Sequence, residues 1–516
     1  MPAASDDRLD QLTSWHADWR GLRVAVFGLA VTGFAVADTL LELGAEVLVV
    51  ASKATPERLE LLDVVGGRFV EQPGEGHVPR ELEEFDPELL IVSPGYPPDH
   101  VLLDWARSHG VPMWGDIELA WRVRDKVGTP AEWILITGTN GKTTTTQLTT
   151  HLLVAAGKRA ASVGNIGVPP LDAVREPDPY DVLVVELSSF NLHWMPRTGP
   201  GAVVPLAAAC LNIADDHLDW HGSREAYVDA KATVFANTRV AAVYNRADQT
   251  TRRMVEDADV TEGCIAVGFG LDTPGPGDLG LVEDLVIDRA FVDDRHRQAV
   301  ELTTHGELVE AGLGAPHLTE NVLAATALAR AAGVDAATVR TALATFRVDH
   351  HRSEPVGFAE GVLWVDDSKA TNSHAAAASL AAFEHVVWVV GGLLKGTDVG
   401  PLVERHAGRL RGVVVIGVDR QPVVESFARH APSVPVFEVV AIETGEVMPE
   451  AVRLAAAVAR EGDVVLLAPA AASMDQFTDY GDRGRRFAEA VRERVGDADD
   501  HDATSPRPAG PGTPGS

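Results

Sequence analysis

Residues 133–157 read WILITGTNGKTTTTQLTTHLLVAAG, and the fold turns on how this stretch is read. An apolar run suited to a buried parallel strand, Trp133 to Thr137, meets glycines and a lysine, and four consecutive threonines then stand where a helix begins. β-Branched residues lose rotamer freedom in a helix, so this is a conflict with propensity, and such conflicts collect at functional positions. Gly138 and Gly141 let the backbone pass close to a ligand, and the next turn aims unpaired N–H groups at one point. A helix start of this kind binds anions. Lys142 adds a positive charge at its mouth, and the hydroxyl of Thr143 is placed to ligate Mg²⁺. Leu148, Leu152 and Ala156 recur on one face, with Gly157 as the stop. The phosphate-loop pattern G-x-x-x-x-G-K-[ST] is incomplete, because Ile136 holds the place of its first glycine, while GTNGKTT is intact. The competing reading is a plain glycine turn; the flanking strand, the amphipathic helix and the threonines favour ATP or another polyphosphate with Mg²⁺.

The chain has 516 residues, enough for about three domains. With 46% hydrophobic and 23% charged residues its composition is that of a soluble globular protein, and no apolar run is long enough to cross a bilayer. MPAASDDRLD has no basic segment followed by an apolar one, so a cytoplasmic location is expected. Cys210 and Cys264 are too few for a disulfide framework and read as small buried residues. A net charge of −31 repels nucleic acid and anionic membranes, so any polyphosphate must be held by local cations, helix termini and metal.

Apolar strand-like runs alternate with helical patterns, the signature of α/β layers with parallel sheets. Three blocks are expected. Residues 1–127 carry LRVAVFG, AEVLVV and LLIVSPG as strands, with the helix VTGFAVADTLLELG. Residues 128–350 carry the phosphate-loop strand, DVLVVELSSF, AAACLNI and RVAAVYN, then the helix TENVLAATALARAAG; between roughly 258 and 315 only small strands and loops are expected. Residues 351–495 carry GVLWVDD, HVVWVVGG, GVVVIG and DVVLLAPA, and 496–516, acidic and then Pro/Gly-rich, read as a disordered tail.

GLAVTG (Gly28 to Gly33) stands where a dinucleotide fingerprint belongs, but Ala30 replaces its middle glycine. Lys53 stands near where an NAD site wants an acid, which disfavours NAD; a nucleotide diphosphate on the helix N-terminus and a purely structural turn both stay open. Glu186 closes the strand DVLVVE, where it either ligates Mg²⁺ or joins a helix cap with Ser188 or Ser189. LNIADDHLDWHGSREAYVDAKATVF gathers Asp215, Asp216, His217, Asp219, His221 and Lys231, as a site or as a solvated acidic loop with a structural histidine. An ammonium cannot bind metal, which makes Lys231 awkward there. Lys369, Thr371, Lys395 and Ser473 follow strands of the third block and could converge on a carboxylate or phosphate; singly, each reads as a solvent-facing lysine or a cap.

Taken in order, TGTNGKTTTT, GNIG, VELSSFNL, NIADDHLDWHG…AYVDAK, HHR, DDSKATN, GGLLKG and PAAASMDQF resemble the Mur ligase family over about residues 20–490. ELSSFNL and DSKATN resemble its D-glutamate-adding branch, and the DNPR motif of the diaminopimelate- or lysine-adding branch is absent. The resemblance implies a Rossmann-like N-terminal domain, a P-loop ATPase-like central domain and a Rossmann-like C-terminal domain. It also implies ATP, two Mg²⁺ ions, a carbamylated Lys231, and the substrates UDP-N-acetylmuramoyl-L-alanine and D-glutamate, in a monomer. Gly138, Thr139, Asn140, Gly141, Lys142, Thr143 and Thr144 would hold the phosphates, with Thr143, Glu186, His217 and Lys231 at the metals. Asn321, Arg352 and Asp367 would contact the nucleotide. Val31, Thr32, Ser52, Lys53, Gly95 and Asn165 match UDP-sugar positions. Lys369, Thr371, Lys395, Ser473, Met474 and Tyr480 match the amino-acid pocket, and Lys142, His217, Lys231 and Lys369 would act in catalysis. Leu318 replaces a common asparagine and Tyr480 a common phenylalanine. The readings that compete are a sibling ligase such as a folylpolyglutamate synthase, an ATP-hydrolysing regulator, and an NAD(P)-linked oxidoreductase using the first block.

Overall fold

The computed structural model describes residues 6–503 other than 73, 75, 349, 395, 396 and 442. Two compact units divide the chain, Met1–Arg347 and Val348–Ser516.

The first unit holds two sheets. In the N-terminal one, five parallel strands run in the order Arg68–Glu71, Glu46–Ala51, Arg23–Phe27, Leu89–Val92, Met113–Gly115. Strand order reverses between Arg23–Phe27 and Leu89–Val92, and ligands of open α/β sheets bind in the crevice at the carboxyl ends of such a pair. The helix Val31–Glu42 packs so tightly on the turn before it that a Cβ on Gly33 would sit 2.0 Å from the Gly28 carbonyl oxygen.

The second sheet has nine strands, and its parallel centre runs Ala241–Asn245, Ala207–Cys210, Glu132–Thr137, Val182–Glu186, Ala160–Gly164. The weakly patterned stretch 258–315 supplies four strands, Ile265–Phe269, Asp278–Val282, Leu285–Asp288 and Val300–Thr304, which extend this sheet and end it in antiparallel pairs. The two sheets share one hydrophobic core that runs from Leu22 and Trp121 to Trp133 and Leu135, with the Trp121 and Trp133 rings edge to face at 5.3 Å. Burying a large apolar side chain contributes roughly 1.5–3 kcal/mol, so sequence blocks that alternate separately still join into one body.

The second unit carries six strands in the order Glu354–Ala359, Val362–Asp366, Val464–Leu467, Val386–Gly391, Leu410–Ile416, Val436–Glu438, all parallel except the first. Its last helix, Tyr480–Ala503, reaches into the stretch expected to be a disordered tail, and 504–516 lie outside the described residues.

Candidate active site

The phosphate loop leaves the central strand Glu132–Thr137 and enters the helix Lys142–Ala155. Gly138 has φ 153° and Gly141 φ 82°, and no side chain caps the helix start. A Cβ on Gly141 would meet Asn321 Oδ1 at 2.4 Å, which places Asn321, from the helix Pro316–Ala331, directly against the loop. Asn212 holds the loop from its other side: its Oδ1 accepts the Asn140 N–H at 2.8 Å, and its amide donates to the Asn140 carbonyl at 3.1 Å. Thr139 Oγ1 lies 2.8 Å from the Tyr227 hydroxyl and accepts the Ala214 N–H at 2.9 Å. Hydrogen bonds from both sides thus fix the shape of the loop.

The threonines divide. Thr143 and Thr144 are buried in the first helical turn. Thr145 and Thr146 hydroxyls are buried with no hydrogen-bond partner among the described residues, and Thr149 and Thr150 donate back to the carbonyls of Thr145 and Thr146 at 2.7 and 3.0 Å. All four threonines are buried, so tertiary burial outweighs their weak helix propensity.

Lys142 Nζ donates to the carbonyls of Gly138 and Thr139 at 2.8 and 2.9 Å. Lys231, only 2% exposed, donates to the same Gly138 carbonyl at 2.9 Å and to Thr137 Oγ1 at 3.1 Å. Burial, and then the Lys142 charge, pull the Lys231 amine down from 10.5 to about 7. An amine of that kind is largely neutral in mildly alkaline solution and is a nucleophile toward CO₂. Glu186, 1% exposed, ends the neighbouring strand; its Oε1 accepts the Asn165 amide at 2.8 Å, and its Oε2 has no partner among the described residues. The cap reading fails here, since Ser188 forms its capping box with Asn191. A buried carboxylate oxygen with no partner among the described residues is a donor that a hard divalent cation takes, so Glu186 fits Mg²⁺. His217 has φ 53° and packs its ring on Phe190 at 4.7 Å; burial lowers its basicity, against the Asp216 carboxylate.

A cavity of about 1010 Å³ opens at the strand-order reversal of the N-terminal sheet and reaches the central sheet. Thr32, Ser52, Lys53, Gly95 and Asn165 line it. Val31, 54% exposed, does not appear in that lining. Sequence reasoning missed Asn212 and Tyr227, although Asn212 stands two residues past the strand Ala207–Cys210 and Tyr227 one helical turn before Lys231.

In the second unit the segments of Arg352 and Asp367 are laced together. The Ser353 N–H donates to Asp367 Oδ1 at 3.2 Å, the Lys369 N–H to the His351 carbonyl at 3.2 Å, and His351 Nδ1 lies 2.6 Å from Asp366 Oδ2. Burial pushes the Asp367 carboxyl up to about 6, against a hydrogen bond from Ser379. Lys369 Nζ donates to the Tyr480 hydroxyl at 3.1 Å, and the Ala470 N–H to the Ala370 carbonyl at 2.9 Å, which sets the loop of Thr371 beside the one leading to Ser473. Ser473 is buried and Met474 is 64% exposed. Arg483, another residue the sequence did not mark, is fully buried and donates to Ser368 Oγ, Ser368 O and Ala471 O. Lys395 lies outside the described residues.

Known proteins resemble this chain in sequence and in fold. The model of the Mur ligase middle domain matches residues 136–329, and that of the Mur ligase glutamate ligase domain matches 351–471. A UDP-N-acetylmuramoylalanine–D-glutamate ligase of Leifsonia xyli subsp. xyli is 61% identical over 99% of this chain and 100% of its own length. A protein of the same name from Streptomyces avermitilis is 50% identical over 92% and 99%. Among solved structures, the UDP-N-acetylmuramate-alanine ligase MurC of Thermotoga maritima covers 92% of this chain and 99% of its own, with a TM-score of 0.53 at 19% identity, a likeness of fold. The MurF ligase of the same organism, solved with ADP, covers 93% and 96% with a TM-score of 0.52, again at 19% identity. With two family models in tandem and a relative matched from end to end, the chain belongs to the Mur ligase family.

Proposed function

We propose that this protein joins D-glutamate to UDP-N-acetylmuramoyl-L-alanine at the expense of ATP, releasing ADP and phosphate, a step in making peptidoglycan precursor. The observation that carries the reading is the full-length likeness at 61% identity to a ligase of that name. It is supported by the convergence of phosphate loop, Lys231 and Glu186 beside a cavity of nucleotide-sugar size. Residues 1–127 are assigned to the UDP-sugar, 128–350 to ATP and 351–495 to the amino acid, in a cytoplasmic monomer.

The alanyl carboxylate attacks the γ-phosphorus of ATP, the bond to the β–γ bridging oxygen breaks, and ADP leaves an acyl phosphate. The D-glutamate amine then adds to the acyl carbon, phosphate departs with the C–O bond electrons, and the amine loses a proton. Each step gathers anions, so charge neutralisation sets the barrier. Lys142 and the helix start after Gly141, which no side chain caps, hold the phosphates. Thr143, Glu186, His217 and the carbamate made from Lys231 and CO₂ would hold two Mg²⁺ ions, which when bound screen carboxylate from triphosphate. Asn165, tied to Glu186, orients the carboxylate end of the nucleotide sugar. Arg352 and Asp367 are assigned to the nucleotide, and Lys369, Thr371, Lys395, Ser473, Met474 and Tyr480 to D-glutamate.

The test is phosphate release from ATP with each substrate omitted in turn. Release should require both UDP-N-acetylmuramoyl-L-alanine and D-glutamate. ATP hydrolysis without them, or equal use of another amino acid, would refute the assignment.

A further inference from the structure

The cavity carries a polar pair that the reaction above does not use. Asp116 follows the strand Met113–Gly115 and opens the helix Asp116–Arg122; it is 5% exposed, and Asn191, at 7%, donates to its Oδ1 across a long 3.4 Å. Both line the cavity. Lys53, by contrast, follows the strand Glu46–Ala51. In the sheet order these two strands are three spacings apart, about 14 Å at ~4.8 Å per strand. Between them stands the N-terminus of Val31–Glu42, a twelve-residue helix whose start no side chain caps.

This arrangement polarises the cavity. A diphosphate belongs over the uncapped helix start and Lys53, where N–H dipoles and an ammonium meet it. A buried carboxylate at the far side repels it. Asp99 and Asp104 also line the cavity, but on its exposed rim, where water screens them. The far side must then receive the uncharged, N–H- and O–H-bearing part of the ligand.

We propose that Asp116, held by Asn191, is a specificity-determining acceptor for the neutral amide and hydroxyl donors that lie between the diphosphate and the terminal carboxylate of the nucleotide-sugar substrate. This rests on the reaction assigned above. Burial pushes the Asp116 carboxyl up to about 6, partly offset by the Asn191 amide and by the N–H groups of its own helix start. A group under that strain gains from additional donors. The bland alternative is that Asp116 only completes its own helix start, and then every ligand of the cavity would be affected alike.

Calorimetric titration of UDP and of UDP-N-acetylmuramoyl-L-alanine into the full-length protein separates the two. Asp116→Asn should weaken the whole substrate at least fivefold and leave UDP within twofold of wild type. Lys53→Ala, at the other end, should weaken both by a similar factor. Should Asp116→Asn misfold, Asp116→Ser is expected to give the same split. Equal binding of the whole substrate by wild type and variant, or parallel loss of UDP, overturns the inference alone. Failure of the wild-type protein to bind the nucleotide sugar at all would bring down the assigned reaction together with it.

Discussion

Replacing Lys231 by Met should make the protein more stable and nearly inactive. The side chain is 2% exposed, and its amine is drawn from 10.5 to about 7, chiefly by burial. At 1.36 kcal/mol per pKa unit, that gap means the folded state gives up roughly 5 kcal/mol at neutral pH by holding this lysine. Methionine has similar volume and no charge. It forfeits the hydrogen bonds to Thr137 and Gly138, together about 2 kcal/mol, so the net gain is about 3 kcal/mol. For the unit Met1–Arg347, an unfolding entropy of about 2.1 cal/mol/K per residue converts this into a rise in Tm of about 4 °C. The pH dependence has a definite sign. Because the folded amine has the lower pKa, the unfolded chain binds the extra proton between about 7 and 10.5, so wild-type stability climbs with pH across that window. The advantage of Lys231→Met is complete below pH 7 and shrinks above it. Thermal melts in CO₂-free buffer from pH 6.5 to 9.5 measure the first part, and steady-state turnover, expected to fall at least about 100-fold, the second. A variant no more stable than wild type at pH 7, or one that retains near-normal turnover, would refute the reasoning.

Gly141→Ala places a methyl 2.4 Å from Asn321 Oδ1 at φ 82°, where an L-residue costs about 1–2 kcal/mol; the KM for ATP should rise about tenfold or more while UDP affinity holds, and an unchanged ATP KM would contradict the placement of the loop. His406 is 5% exposed with both ring nitrogens unpartnered among the described residues, and burial lowers its basicity from the ordinary 6.5. Its unfolded form binds the proton more readily, so the second unit should lose stability as pH falls through 6.5, and His406→Leu should blunt that loss in melts compared at pH 7.5 and 5.0. Lys395→Ala should impair the use of D-glutamate without changing ATP affinity, read as KM and kcat for each substrate.

The run from Trp133 to Gly157 determines by itself a strand, an anion-binding turn and a helix, because glycine freedom, bare N–H groups and apolar periodicity are local properties. The order of short motifs likewise carries the resemblance to the family, and most of them stand at the end of a strand whose apolar run is legible alone. What sequence could not decide is what depends on contact between distant residues. The stretch 258–315 reads as small strands and loops, but that its strands join the edge of the central sheet follows only from pairing with neighbours. Asp116 and Asn191 are 75 residues apart, and only the meeting of two sheets makes them one wall. Lys231 shows the division most sharply: its identity stands in the sequence, but its lowered basicity exists only once folding strips it of water and sets Lys142 beside it.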